Sequence, residues 1–330
     1  MTIVLGIEST AHTFGVGIAS SDGIIFANVN DTYRPASGGI HPREASEHHS
    51  KFASELLRKA LNVSGFSFSD IDGIAIALGP GLGPCLRVGA TLARFLALLH
   101  KKPLIPVNHA IAHIEIARLN TGFEDPLVIY VAGGNTIITT FKDKKYRIFG
   151  ETLDIPLGNC LDVFAREIGL RYPGVPKVEQ IAQRGKMYIE MPYTVKGQDL
   201  SYSGLLTYAL KLVKEEKYKL EDVCYSLVET AYSMLVEVSE RALSFLNKKE
   251  VLITGGLARS KILSEKLSLM VADHDSVFKP VSPEYAGDNG AMIAYTGALA
   301  LDAGVSIPVD ESYVRPLWRM DEVDIPWRRE

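Results

Sequence analysis

Two histidines stand four residues apart in the stretch NHAIAHIEIA, Asn108 to Ala117. On a helix this spacing puts His109 and His113 on one face, a turn apart. That is how a helix offers two imidazoles to one metal ion. Helix surfaces also carry histidines at this spacing without any metal, so the pair alone leaves both readings open. A zincin peptidase needs a glutamate directly after the first histidine as general base, and Ala110 stands there instead. Two imidazoles call for one or two further ligands. Asp288, in AGDNGAM, sits at the expected start of a helix, where the positive end of the dipole keeps a carboxylate ionised. An ordinary N-cap is the alternative reading of the same residue. Tyr130 ends an apolar strand before a Gly-Gly turn, where a plain core aromatic is the alternative.

Phosphate chemistry has candidates of its own. A glycine turn lets backbone N–H groups approach a phosphate with no side chain in the way. GIESTAHTFG and VAGGNT each carry such a turn, and Gly255-Gly256 adds a third between a strand and a helix. Singly each reads as a plain turn, but three at matching points favour a nucleotide cleft. GPGLGPC lacks the Gly-Lys-Ser/Thr ending of a P-loop and is not a dinucleotide fingerprint. Within the first turn, Glu8 and His12 are candidate proton acceptors, with a structural role as the alternative for both.

The elements that must hold these residues read as an α/β chain. TIVLGIESTAHTFGVGIASSDGIIFANVN is strand, turn, strand, turn, strand, with Asp22-Gly23 as a hairpin signal. A polar loop, DTYRPASGGIHPREASEHHS, precedes a helical pattern from Glu47 to Leu61. IDGIAIAL is a buried strand, LRVGATLARFLALLH a helix, and PLIPV a short strand leading into the histidine helix. At Pro126 the design begins again with PLVIYVAGGNTIITTFKDKKYRIFGETLD. Later come a long helix from Leu220 to Phe245, the strand EVLITGG and two more helices, SKILSEKLSLMVA and DNGAMIAYTGALAL. The repeated order predicts two α/β lobes with a cleft between them, residues 1–125 and 126–304, with an insertion over about 150–210. The tail, about 305–330, is expected to pack back on the first lobe.

Composition bounds the function. With 330 residues, 47% hydrophobic and 22% charged, the chain has material for two globular domains. A net charge of −4 disfavours a stand-alone nucleic-acid binder, so an RNA substrate would need a local basic patch or partner subunits. The three cysteines are far apart and form no CxxC pair, which suits a reducing compartment. MTIVLGIEST has no basic start or cleavage site, and no apolar run reaches membrane-spanning length, so a cytoplasmic location without a membrane is expected.

The ordered motifs GIESTAHTFGVGI, GPGLGPCLRVG, NHAIAHIE, YVAGGNT, GETLDIPLGNCLDVFAREIGL, DLSYSGLLT and AGDNGAMIAYTG span nearly the whole chain. Together they closely resemble the TsaD/OSGEP family of tRNA threonylcarbamoyladenosine transferases. AHTFGVGI, NHAIAHIE and RPLWRMDEVDIPW are similar to its archaeal and eukaryotic branch, the catalytic subunit of the KEOPS complex. The resemblance implies the two-lobed ASKHA fold of actin, sugar kinases and heat-shock chaperones, with duplicated RNase H-like domains on central mixed sheets. It implies transfer of threonylcarbamoyl from threonylcarbamoyl-AMP to the N6 amine of adenosine 37 in tRNAs reading ANN codons, with release of AMP. One metal ion, iron or zinc, would be held by His109, His113, Tyr130 and Asp288. Nucleotide contacts would fall on Tyr130, Val131, Ala132, Gly133, Gly134, Asp162, Val175, Glu179 and Ser260, with magnesium accompanying any ATP. The implied partners are tRNA, a small dimerising KEOPS subunit on the first lobe, a small kinase subunit, separate or fused, and the enzyme that makes the adenylate.

Two positions depart from the family pattern. Val175 stands where relatives often have the second glycine of YPGGP, and valine restricts the backbone. Ser260 stands where relatives tend to have asparagine, and its reach is shorter. The competing expectations are a small-molecule kinase or ATPase of the same fold, which needs magnesium but no histidine pair, a metallopeptidase, which Ala110 disfavours, and a nucleotide-gated binding module.

Overall fold

Strands β1 (Ile3–Glu8), β2 (Thr13–Ser20) and β3 (Ile25–Thr32) form a meander, followed by α1 (Pro42–Ser64), β4 (Gly73–Gly79), α2 (Gly83–His100), β5 (Leu104–Asn108) and α3 (His109–Thr121). The second half repeats the plan with β6 (Leu127–Val131), β7 (Thr136–Lys142), β8 (Lys145–Glu151), α4 (Leu157–Glu167), α5 (Val175–Ala182), β9 (Val195–Lys196), β10 (Asp199–Leu200) and α6 (Ser203–Lys214). It continues through α7 (Leu220–Leu246), β11 (Glu250–Thr254), α8 (Lys261–Ala272), β12 (Val277–Pro280), α9 (Pro283–Ala286) and α10 (Gly290–Asp302). This is a computed structural model, and it describes residues 1–35 and 38–328.

Two five-stranded sheets share one topology, β3-β2-β1-β4-β5 and β12-β11-β6-β7-β8. In each, an antiparallel meander is extended by two parallel strands. Parallel strands need crossover helices, which is why α1, α2 and α7 intervene. The central strands carry Val, Ile and Leu on both faces, as strands covered on both sides do.

Helices α3 and α10 pack on one another at the middle of the molecule, and each also lies against a sheet. Helix α10 crosses β1, β2 and β4, and α3 meets β11. Close approach of α10 depends on glycine. A Cβ on Gly17 would lie 2.3 Å from the backbone carbon of Gly290, and one on Gly6 would lie 2.1 Å from the backbone nitrogen of Ala294. The glycines of GIESTAHTFGVGI therefore make room for a helix. This corrects the expectation that they cradle a phosphate. The docked helix brings Asp288, just ahead of it, against the histidines.

Other expectations are adjusted. Helix α1 begins at Pro42 rather than Glu47, because proline at the first helical turn is preorganised and the polar run EASEHH hides the start. In the expected polar loop, Ala36 and Ser37 lie outside the described residues. Helix α3 is buried on all sides from His109 to Ala117. The tail packs on the first sheet, through a bridge from Ile307 to Leu104 and a bond from the Arg315 N–H to the Leu78 carbonyl at 2.7 Å. It then crosses to the second sheet, where Met320 is buried and the Ile325 N–H donates to the Lys144 carbonyl at 2.8 Å. Among the described residues no helix is long and apolar enough to cross a membrane.

Candidate metal centre and nucleotide cleft

The histidine helix starts where its chemistry is needed. Asn108 ends β5 and caps α3, its side-chain oxygen accepting from the N–H groups of Ala110 and Ile111 at 3.0 and 3.3 Å. That places His109 in the first turn and His113 one turn on. Their rings meet edge to face at 4.7 Å between centroids. Both Nε2 atoms turn toward one oxygen of Asp288, at 3.5 Å from His109 and 3.2 Å from His113. Asp288 is not the N-cap of α10; Asn289 is, accepting from the Met292 N–H at 2.9 Å. The Asp288 carboxylate is thereby left to the histidines.

The arrangement fits a metal ion. One ligand atom from each of His109, His113 and Asp288 can be chosen so that all lie within 4.8 Å of one another. Ligands bound at about 2.0–2.2 Å around a tetrahedral centre sit about 3.4 Å apart, close to the His–Asp separations here. The Tyr130 ring lies 5.3 Å from the His113 ring, with its hydroxyl near Asn135. Burial, then the charges of Asp288 and Glu8, push the Tyr130 hydroxyl well up. Burial lowers His113 and holds it neutral, the form that ligates. Burial also opposes charge on His109, but Glu8 and Asp288 outweigh it and lift the imidazole to about 10. Burial would raise Asp288, yet the hydrogen bond and charge of His109 hold it well below the usual carboxylate range.

His109, Tyr130 and Asp288 line one wall of a cavity of about 890 Å³, while His113 is wholly buried and does not line it. His12 lies on it, its Nδ1 3.8 Å from Asp288 and its Nε2 3.3 Å from the Tyr172 hydroxyl. Tyr130, Ala132, Gly133 and Gly134 line it, and a Cβ on Gly133 or Gly134 would meet nothing within 4 Å. Gly256 lines it in the same open way. On the far wall Asp162 accepts from the N–H groups of Gly174 and Val175 at 2.7 and 3.2 Å, while burial raises its carboxyl. Glu179 accepts from the Tyr232 hydroxyl at 2.6 Å and from the Ser260 hydroxyl. Val175, Glu179 and Ser260 all line the cavity, so both departures from the family pattern sit on its surface.

Two expected residues are placed elsewhere. Val131 is wholly buried in β6 and does not line the cavity. Glu8 is also wholly buried behind His109, which corrects its reading as a base in reach of substrate. Sequence reasoning missed Tyr172, Thr10 and the tail residues Trp318 and Arg319, all on the cavity. For Tyr172 the signal was its place in the YPGVP segment, and for the tail it was the motif RPLWRMDEVDIPW, which contains Trp318 and Arg319 but does not show that they reach the cleft.

A family model described as TsaD, tRNA N6-adenosine threonylcarbamoyltransferase, matches residues 24–295. The chain belongs to this family. It is a transferase of tRNA modification. A tRNA N6-adenosine threonylcarbamoyltransferase from Thermofilum pendens is 67% identical over 98% of this chain and 97% of its own length. Among solved structures, HypF from T. kodakarensis superposes with a TM-score of 0.64 at 16% identity, over 91% of this chain and 48% of that one. The activator of 2-hydroxyisocaproyl-CoA dehydratase from Clostridium difficile, solved with bound ADPNP, gives 0.54 at 12% identity, over 93% and 99%. At such identity these two bear on the fold alone, which is the ASKHA fold.

Proposed function

We propose that the cleft transfers threonylcarbamoyl from threonylcarbamoyl-AMP to the N6 amine of adenosine 37 in tRNA, with His109, His113, Asp288 and Tyr130 holding one iron or zinc ion beside the adenylate. The convergence of the two imidazoles on Asp288, which lines the cavity together with His109, supports this reading. When bound, the metal supplies Lewis acidity. The chain's own groups do the rest. The backbone N–H groups at Gly133, Gly134 and Gly256 face the phosphate and steady its charge. Glu179, one oxygen already taken by Tyr232 and Ser260, offers the other to a hydroxyl of the nucleotide. Asp162 holds the start of α5 against the same wall. The adenosine nitrogen attacks the carbamoyl carbon, the bond from that carbon to the phosphate oxygen breaks, and AMP leaves with the electron pair. His12 stands open to the cavity to take the proton of the amine.

The lobes of this reading are residues 1–125 and 126–304 with the insertion at about 150–210, exchanging helices so that α10 packs on the first sheet and α3 meets β11 of the second. The small dimerising KEOPS subunit docks on α1 and α2 of the first lobe, where Val63, Phe95, Leu98 and Leu99 are exposed. Buried α3 takes no part in that surface. A small kinase subunit completes the assembly, and the adenylate comes from a separate enzyme. The setting is the cytoplasm. The test is incorporation of radiolabelled threonine into tRNA with bicarbonate, ATP, the adenylate-forming enzyme and the partner subunits. Label in tRNA that depends on this chain supports the reading, and label independent of it refutes the reading.

A further inference from the structure

We propose that Glu8 is a positioning residue, which keeps the His109 proton on Nδ1 and so aims Nε2 at the metal. The inference rests on the metal reading above. Glu8 ends β1 with no exposed surface and off the cavity, so it touches no substrate. Its Oε2 accepts from His109 Nδ1 at 2.9 Å. Its Oε1 accepts from the Thr10 N–H at 2.6 Å and from the Thr10 hydroxyl, which itself lies 3.2 Å from His109 Nδ1. A carboxylate removed from water persists only when paired and hydrogen-bonded. The His109 Nδ1–H is one of the donors that satisfy the buried Glu8 carboxylate.

The geometry gives the bond a direction. An ionised carboxylate only accepts, so Nδ1 must donate and Nε2 is the nitrogen left for Asp288 and the ion. Thr10 holds the carboxylate from its other oxygen, leaving Oε2 to the ring. His113 has no such anchor, for its buried Nδ1 has no hydrogen-bond partner among the described residues. Glu8 therefore orients the His109 ring, while His113 is held through its Nε2 by Asp288. Outer carboxylates of this kind typically change metal affinity about 10–100-fold when removed.

Affinity for cobalt(II), read by its visible ligand-field spectrum in competition with a chelator, tests the assignment. Glu8→Gln should bind cobalt roughly 10–100-fold more weakly than wild type, with a shifted spectrum, while AMP still raises its melting temperature. Equal affinity and spectrum would overturn the role of Glu8 and leave the metal reading standing. A wild-type chain that takes up no metal would overturn both. Should Glu8→Gln fail to fold, the zinc-loaded wild type decides by 1H–15N imidazole spectra. A slowly exchanging, downfield His109 Nδ1–H with Nε2 metal-bound supports the assignment, and an unprotonated Nδ1 overturns it.

Discussion

Asn289, not Asp288, caps helix α10, so removing the Asp288 carboxylate should cost metal without costing the helix. Asp288→Ala is expected to purify folded with little metal by elemental analysis and without transferase activity. Asn289→Ala should instead lose about 1 kcal/mol of stability in denaturant titration, from the lost cap. His113→Ala should behave as Asp288→Ala does, and both should keep their stabilisation by AMP, since the glycine turns are untouched. Gly134→Val makes the converse case. Its Cβ has open space, so the variant should fold, but the side chain fills the ground a phosphate would approach. Loss of the AMP-induced rise in melting temperature, with metal content retained, is the expected outcome. At this scale the histidine pair was legible because its spacing is local. The role of Asp288 was open because the N-cap could fall on it or on its neighbour, two residue types that cap equally well. Glu8 was misplaced because nothing local distinguishes a carboxylate facing a cavity from one facing a histidine more than a hundred residues away.

Elements carry the next set of expectations. The backbone contact of β2 with α10 leaves no room for a methyl at Gly17, so Gly17→Ala should lower stability by at least the ~1–3 kcal/mol typical of overpacking. Because α10 carries the approach to Asp288, metal content should fall with it. Elsewhere, Asp154 pins the segment after β8 to the start of α6. It accepts from the hydroxyls of Ser201 and Ser203 and the N–H groups of Tyr202 and Ser203. Burial works to raise its carboxyl, but these bonds outweigh burial and hold it well below the usual range. A carboxyl lower in the folded state than in the unfolded chain stabilises above its unfolded value of about 4 and loses that contribution as pH falls further. Asp154→Asn should thus be less stable than wild type at pH 7, with the gap closing below about pH 4 in thermal melts. Strand and helix order was legible from alternating apolar runs and turn residues. The purpose of the glycines in β1 and β2 was not, because helix-on-sheet contact joins residues nearly three hundred positions apart.

At the scale of the whole molecule, the two sheets and the cleft followed from a repeated order of elements, while the tail's course across both sheets did not, having no periodic pattern to read. With a net charge of −4 the lone chain should bind tRNA weakly in filter-binding titrations, with affinity falling as salt rises. Leu98→Glu on the exposed face of α2 should weaken capture of the small dimerising subunit without changing metal content. The central claim is that the cleft lined by His109 and Asp288, with buried His113 bonded to the same Asp288, performs the transfer to tRNA. Mass spectrometry of nucleosides digested from tRNA, after incubation with the full set of substrates and partners, tests it most directly. Wild type should yield threonylcarbamoyladenosine, and His113→Ala and Asp288→Ala should yield little or none. Equal modification by all three proteins would contradict it.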